Sequence, residues 1–370
     1  MGVSVGTAAL VIVLSVFNGF ENLVLSLYNS FDPPIKITSS EGKVFNPEEV
    51  KNFLDKKNII YSQVLEEKVL LKYKNKEYIA TLKGVDDNFK NINSLDSMIV
   101  SGRYFNESKS ANSAIIGQGV AYYLSMNIGD MLNPLQVFLP NREKRHLLNP
   151  ETAFTQLRLN PVGMFAIQAD FDAKYVITSL DFMQKIASRD MEVSAIEVLC
   201  NSSEMKELQS ELIDFFGSQY NIQNRHQQHA FLYKMLNSEK LAVFLILTFI
   251  LIIASFNMVG SLSMLIIDKK QDVKTLSIIG ASKKSIQRIF LYEGFLNTFF
   301  GALIGIVFGL SLCFLQLKFG FLRMGDGSFV VNYYPVEIDF IDIAIILITV
   351  LSIGILASAI PVWQLRKNLN

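Results

Sequence analysis

The stretch DKKQDVKTLSIIGASKKSIQRIF, residues 268–290, separates two long apolar runs, and its reading decides the fold. Before it, Leu241–Ile267 is 27 residues without a charge; after it, Ile289–Leu317 carries one charge, Glu293. At ~1.5 Å rise per residue, either run as a helix exceeds the roughly 30 Å of a bilayer's hydrocarbon core. The chain therefore surfaces for about twenty residues between two membrane spans. A plain connector needs only a few polar residues. This one reads as helix, break, helix. Val273, Leu276 and Ile279 form an apolar side, with Lys270, Lys274 and Ser277 elsewhere. Gly280 supplies a position able to take φ > 0, and Ser282 can cap the next helix. Its basic residues, Lys269, Lys270, Lys283, Lys284 and Arg288, could equally lie among anionic headgroups. Ordered breakage and an apolar Ile278 beside the buried side favour a surface presented to a soluble partner.

Ile343–Leu365 is another uncharged run, of 23 residues, and Met1–Phe20 is uncharged too. The N-terminal run lacks the basic n-region and cleavage site of a signal peptide and reads as a span. A helix beginning at Met1 is expected to be missing a basic cytoplasmic leader. Residues 268–288 hold six Lys/Arg against two Asp; residues 318–339 hold two against three acids. Positive charge marks the cytoplasmic side, so the 268–288 loop and the C-terminus face inward and the large polar region lies outside.

The resulting fold class is a membrane protein with four transmembrane α-helices and a large extracytoplasmic α+β domain between helices 1 and 2. Its parts are a first helix over 1–27, an outer domain over 28–238 with a projecting loop at 140–161, and a second helix over 239–267. The cytoplasmic loop 268–288, a third helix over 289–317, a short outer loop over 318–340, and a fourth helix with its tail over 341–370 follow. In the outer domain, IKITS alternates like a strand, and Asn46-Pro47 opens a helix over NPEEVKNFLDK. IIYSQVLEE is the next strand, KVLLKYKNKEYIATLKGV a hairpin turning near Asn75. SAIEVLC, a helix capped at Ser202 or Ser203, and a strand YNIQNRHQQH repeat the strand–helix–strand order. The 140–161 stretch, polar with proline at both ends, resembles a long projecting hairpin or loop, either simply exposed or a docking site for another protein.

Zero net charge and no basic block exclude nucleic acid as a partner. Two cysteines, Cys200 in the polar region and Cys313 in an apolar run, do not make a disulfide scaffold. No P-loop, H-E-x-x-H, G-x-S-x-G or C-x-x-C motif occurs, so no catalytic residue and no metal site is expected, and the chain binds no cofactor itself. His226 and His229, three apart on a presumed strand end, point to opposite faces; His146 is a lone loop residue. Gly301, Gly305 and Gly309 make a G-x-x-x-G-x-x-x-G stripe that lets another helix approach, the expected partner being the fourth span through Gly354 and Ser358. Asn257 and Ser261 read as interhelical glue, and Glu293 as an ionisable residue near the interface.

FNMVGSLSMLIIDKKQDVKTLSIIGASKKSIQRIFLYEG (256–294), VLSVFNGFE (13–21) and PVWQLRK (361–367) resemble the permease of the bacterial lipoprotein-releasing ABC transporter, LolC/LolE type, within the MacB/FtsX-like permease group. The resemblance implies a coupling helix, with Lys270, Gln271, Asp272, Lys274, Thr275, Ile278 and Gly280 facing a separate ABC ATPase that holds ATP and Mg. It implies a second permease copy or paralogue, membrane lipids, an acylated lipoprotein substrate and a periplasmic carrier. Phe17, Phe20, Phe244 and Thr248 are the expected lipid-cavity contacts, and Arg142, Lys144, Arg145, Gln156 and Arg158 the expected carrier-docking residues. The location implied is the inner membrane, multi-pass, with the large domain in the periplasm. Efflux permeases of MacB type and signalling permeases of FtsX type are the alternatives.

Overall fold

The computed structural model describes residues 1–104, 112–130, 133–140, 154–201, 203–323 and 333–368. In chain order, α1 (Gly2–Phe31) precedes β1 (Ile35–Ser39), α2 (Glu48–Lys56), β2 (Tyr61–Tyr73), β3 (Lys76–Val85), α3 (Phe89–Ile92) and β4 (Ile99–Gly102). Next come β5 (Ser113–Gly117), α4 (Gln118–Leu124), β6 (Leu135–Pro140), β7 (Phe154–Phe165), α5 (Ala169–Asp172), β8 (Tyr175–Ser179) and α6 (Leu180–Ala187). Then follow β9 (Ala195–Val198), α7 (Met205–Phe216), β10 (Tyr220–Asn224), α8 (Arg225–Gln228), α9 (Ala230–Asp268), α10 (Lys270–Ile278), α11 (Lys283–Phe319) and α12 (Phe340–Asn368). Two compact units result. One is helical, from Met1–Val24 and most of the chain after Phe231; the other, Leu25–Ala230, carries the sheet.

In the sheet unit, β2 and β3 form a long antiparallel hairpin from Tyr73↔Lys76 to Val64↔Val85. The two strand segments read separately before Asn75 are one 13-residue strand. Pairings run β2–β3–β8–β5–β7–β6 and back from β6 to β2, so six strands close on themselves. Closure leaves these strands without free edges. Their inward residues, among them Leu65, Leu71, Leu82, Ile116, Val137 and Leu159, form the main core together with Val120 of α4 and Phe182 of α6.

Beyond the ring, β1 lies between β10 and β9, antiparallel to both. The two strand–helix–strand units from opposite ends of the domain therefore interleave, and α2 and α7 share one core through Val50, Leu54, Leu212 and Phe216 with Ile35 and Ile37. Their caps differ from the sequence expectation. The α2 helix begins after Pro47, although Asn46 Oδ1 still accepts the Glu48 N–H at 3.0 Å. The α7 N-cap is Glu204, and Ser202 lies outside the described residues. The last strand ends at Asn224, because Asn224 makes a capping box with Gln227 and starts α8. His226 therefore lies on a helical turn, not on a strand.

Buried Asp172 ends α5 and accepts the Ile167 N–H at 2.8 Å. Burial pushes its carboxyl up to about 6, against the pull of hydrogen bonds from the Ile167 and Gln168 backbone. Its folded pKa lies above its unfolded value near 3.8, so its contribution is fully favourable below about pH 4 and is lost as pH rises toward 6. Relative to wild type, Asp172→Asn should therefore gain on the order of 2 kcal/mol between pH 4 and pH 7.5. Any constant cost of the altered hydrogen bonding cancels in that difference. Urea denaturation of both proteins at the two pH values checks it; a pH-independent difference defeats it.

Among the described residues, four helices are long and apolar enough to cross a membrane: Gly2–Phe31, Ala230–Asp268, Lys283–Phe319 and Phe340–Trp363. Leu10, Val11 and Leu14 of α1 pack with Leu251 of α9, Ala302 of α11, and Ile346 and Val350 of α12. Gly320, in the left-handed conformation at φ +58°, ends α11.

Candidate functional site: the α10 loop and the helix bundle

The break between α10 and α11 is a glycine turn. Gly280 takes φ +99°, and Ala281 N–H reaches back to Leu276 C=O at 3.0 Å. Ser282 then caps α11, its Oγ accepting the Ser285 N–H at 3.2 Å. Only one residue of α10 is buried: Val273 sits among Leu262 of α9, Ile286 and Phe290 of α11, and Val362 of α12. The expected apolar side is narrower than the sequence reading. Leu276 is exposed, and Ile278 and Ile279 stand 77% and 78% exposed. Thus α10 is held at one point and offers two isoleucines outward. Lys270, Gln271, Asp272, Lys274, Thr275 and Gly280 are exposed around them, with Lys269 Nζ 3.1 Å from Asp272 Oδ2. Glu293 lies exposed on α11, along a groove it shares with Lys269, Asp272 and Phe290.

The glycine stripe of α11 faces α1, a correction to the expected fourth-span partner. A Cβ on Gly305 would lie 2.5 Å from Ser4 O and 2.7 Å from Thr7 Cβ, and one on Gly309 2.9 Å from Val11 Cβ. Gly301 meets Val3 only at ordinary contact distance, 3.4 Å. The fourth helix uses a second small-residue surface: Gly294 lies against Ser358, and Gly354 against Thr298. Because 3.6 residues make a turn, an i, i+4 stripe drifts around the helix, and one helix serves two neighbours from adjoining faces.

A polar knot joins three spans. Asn18 of α1 is 7% exposed and donates from Nδ2 to Asp342 Oδ2 of α12 at 2.7 Å, and Lys240 Nζ of α9 lies 2.9 Å from the same oxygen. Glu337 accepts from Asn22, and its N–H donates to Ser15 C=O at 2.9 Å. Sequence reading missed this cluster, although Asp342 at the head of an uncharged run was its one visible sign. A carboxylate in a helix's first turn is also favoured by the helix dipole.

Phe17 and Phe20 are half-buried on either side of Asn18 and Gly19. Phe244 packs against the bundle core, and the buried Thr248 hydroxyl has no hydrogen-bond partner among the described residues. Gln156 and Arg158 are exposed on β7, opposite Phe138 and Gln136 of β6. Arg142, Lys144 and Arg145, with His146, lie outside the described residues, so nothing here brings the five expected docking residues together.

Residues 1–138 match the MacB-like periplasmic core domain, and residues 244–368 the FtsX-like permease C-terminal family. At both ends the chain is thus similar to permeases of the MacB/FtsX-like group, a multi-pass membrane protein with a sheet-rich, MacB-like periplasmic domain between its first and second spans. Within that group it is similar along its length to LolC/LolE permeases. It is 25% identical to the lipoprotein-releasing system transmembrane protein LolC of Buchnera aphidicola, over 100% of this chain and 90% of that one. With LolE of Haemophilus influenzae it shares 22% identity over 99% and 91% of the two chains. Among solved structures, the periplasmic region of MacB from Actinobacillus actinomycetemcomitans superposes with TM-score 0.38 at 13% identity, covering 57% of this chain and 98% of that one.

Proposed function

We propose that the chain is the membrane subunit of an ABC transporter that lifts acylated lipoproteins from the inner membrane and passes them to a periplasmic carrier. The observation that carries this reading is the match, over essentially its whole length, to lipoprotein-releasing permeases. An acyl anchor buries dozens of CH₂ groups at ~0.8 kcal/mol each, and no residue pattern in this chain supplies that energy. A separate ATPase binding ATP and Mg does so, and α10 is its docking element. Val273 fixes α10 to three spans, so a push on Ile278 reaches α9, α11 and α12 together. A second permease, identical or paralogous, completes the lipid-facing cavity that Phe17, Phe20 and Thr248 border. The 140–161 segment, with Gln156 and Arg158 exposed at its end, is where the carrier docks.

Ile278→Asp places a charge on the exposed apolar end of α10 without touching the Val273 anchor. Co-purification of the ATPase should fall at least about tenfold, the cost of a carboxylate desolvated in an apolar contact, while the permease itself stays folded. Full co-purification with intact lipoprotein release removes α10 from the docking role.

A further inference from the structure

A domain inserted between two spans receives their movement where the chain enters and leaves it. In the sheet unit those two crossings are tied together. Three residues separate Phe31, the end of α1, from β1, and His229 alone separates α8 from α9. The β1–β10 ladder ends at Ile35↔Asn224, which brings both crossings side by side. Side chains then bridge them. His229 Nε2 lies 2.6 Å from Asp32 Oδ2, and Gln228 Nε2 donates to Pro33 C=O at 3.2 Å. Beneath the pair, the Tyr28 ring meets His229 edge-on at 4.8 Å, and its hydroxyl donates to Asp170 Oδ2 at 3.2 Å. Phe31 anchors the same segment in the sheet unit through Phe165, Phe171 and Tyr175.

Backbone pairing of β1 with β10 would by itself leave Asp32–Pro34 and His229 as two hinges, each able to absorb a helix's movement by bending. From this geometry we infer that the Asp32–His229 pair, seated on Tyr28, is a clasp that makes the two crossings one stiff joint, through which span movement is delivered to the outer domain. Asp32 and His229 are positioning residues: they touch no substrate and act on where the domain goes. The inference rests on the permease reading above.

The test uses the reconstituted complex of permeases and ATPase, with Cys200 and Cys313 replaced by serine and a nitroxide on Tyr122→Cys, an exposed site of the outer domain. Three quantities are read: ATP hydrolysis, lipoprotein release to a carrier, and the nucleotide-dependent change in the distance between the two outer-domain labels. Asp32→Ala and His229→Ala should leave hydrolysis within twofold of wild type, abolish most of the distance change and lower release about tenfold, the scale of a lost charge-assisted hydrogen bond. Without the labels, a short bismaleimide joining Asp32→Cys to His229→Cys should restore release. Unchanged distance change in the alanine variants overturns the clasp, and so does a cross-linked protein that hydrolyses ATP without releasing lipoprotein, since the pair must then open. A wild-type complex whose labels move on ATP while no lipoprotein is released defeats the release reading alone. The distance readout then still decides the clasp.

Discussion

Lys83→Met should destabilise the sheet unit by about 3–5 kcal/mol, the cost of removing one partner from a buried ion pair. Lys83 is 1% exposed, with its Nζ 2.7 Å from Glu197 Oε1 and 3.5 Å from Glu66 Oε1, and Glu197 is fully buried. The register explains the cluster. Glu66 sits opposite Lys83 across β2–β3, and Lys36 opposite Glu197 across β1–β9, so two carboxylates on neighbouring strands are flanked by two ammoniums on the strands outside them. Phe31 and Phe89 lie 4.6 and 4.9 Å from the ammonium, closing it from water and adding cation–π attraction. Burial pushes Glu197 above the ordinary carboxylate range even with Lys83 beside it. Burial acts on Glu66 too, but Lys36 and Lys83 outweigh it and hold Glu66 low. Without Lys83, Glu197 rises further and takes up a proton on folding. A raised folded pKa gives stability at low pH that is lost as pH rises, so the defect should be smaller at pH 5 than at pH 8. Urea denaturation at both values measures it. Adding Glu197→Leu to Lys83→Met should recover at least about 1 kcal/mol, because the stranded charge is gone. A single variant as stable as wild type at pH 8 would mean that the cluster contributes nothing net.

What sequence reading could reach follows from the range of each interaction. The four spans are local: uncharged length alone defines them. The α10 turn is local too, since Gly280 and Ser282 act within four residues of themselves. Strand ends are less legible. Residues 59–73 contain no glycine, proline or asparagine before Lys74-Asn75, and they form one strand across Glu66-Glu67-Lys68, where sequence reading divides them. Of these charges, Glu66 pairs with Lys83 and Lys36 on other strands, which no window of sequence displays. The same reason hid the Asn18–Lys240–Asp342 knot, whose members lie more than 100 residues apart in sequence. Sequence spacing says only that His226 and His229 of a strand end would face opposite ways, whereas the partner of His229 is Asp32, 197 residues away. The glycine stripe was legible as a packing surface but not by partner, because α1 and α12 both offer small residues at four-residue spacing.

That choice of partner makes a graded prediction. Gly305→Leu should separate α1 from α11, and even Gly305→Ala should cost about 1–3 kcal/mol, the usual penalty of overpacking. The obstacle at Gly305 is the backbone carbonyl of Ser4, which no rotamer change can move. Thr7 Oγ1, bonded to Val3 C=O at 2.7 Å, stiffens that turn of α1. At Gly309 the obstacle is the Val11 side chain together with Ala8 O at 3.2 Å, so alanine there should cost less. At Gly301 an added methyl only touches Val3, and alanine should be nearly neutral or slightly favourable, since glycine is the poorer helix former. Thermal denaturation of the full chain in mild detergent should therefore rank the alanine variants 301, 309, 305 in order of increasing loss. Had α12 been the partner, the stripe's order would follow Gly354 and Ser358 instead, and Gly305→Ala would be as harmless as Gly301→Ala. The ranking bears on mechanism because α11 grips α1 backbone to side chain, while α9 buries only Leu236, Leu251, Ser255 and Leu262, adds Lys240 to Asp342 and Phe244 to the bundle core, and is otherwise largely exposed. A push delivered at α10 then meets less resistance along α9 than along α1. Gly305→Leu, which frees α1, should leave ATPase docking at Ile278 intact while lipoprotein release is lost.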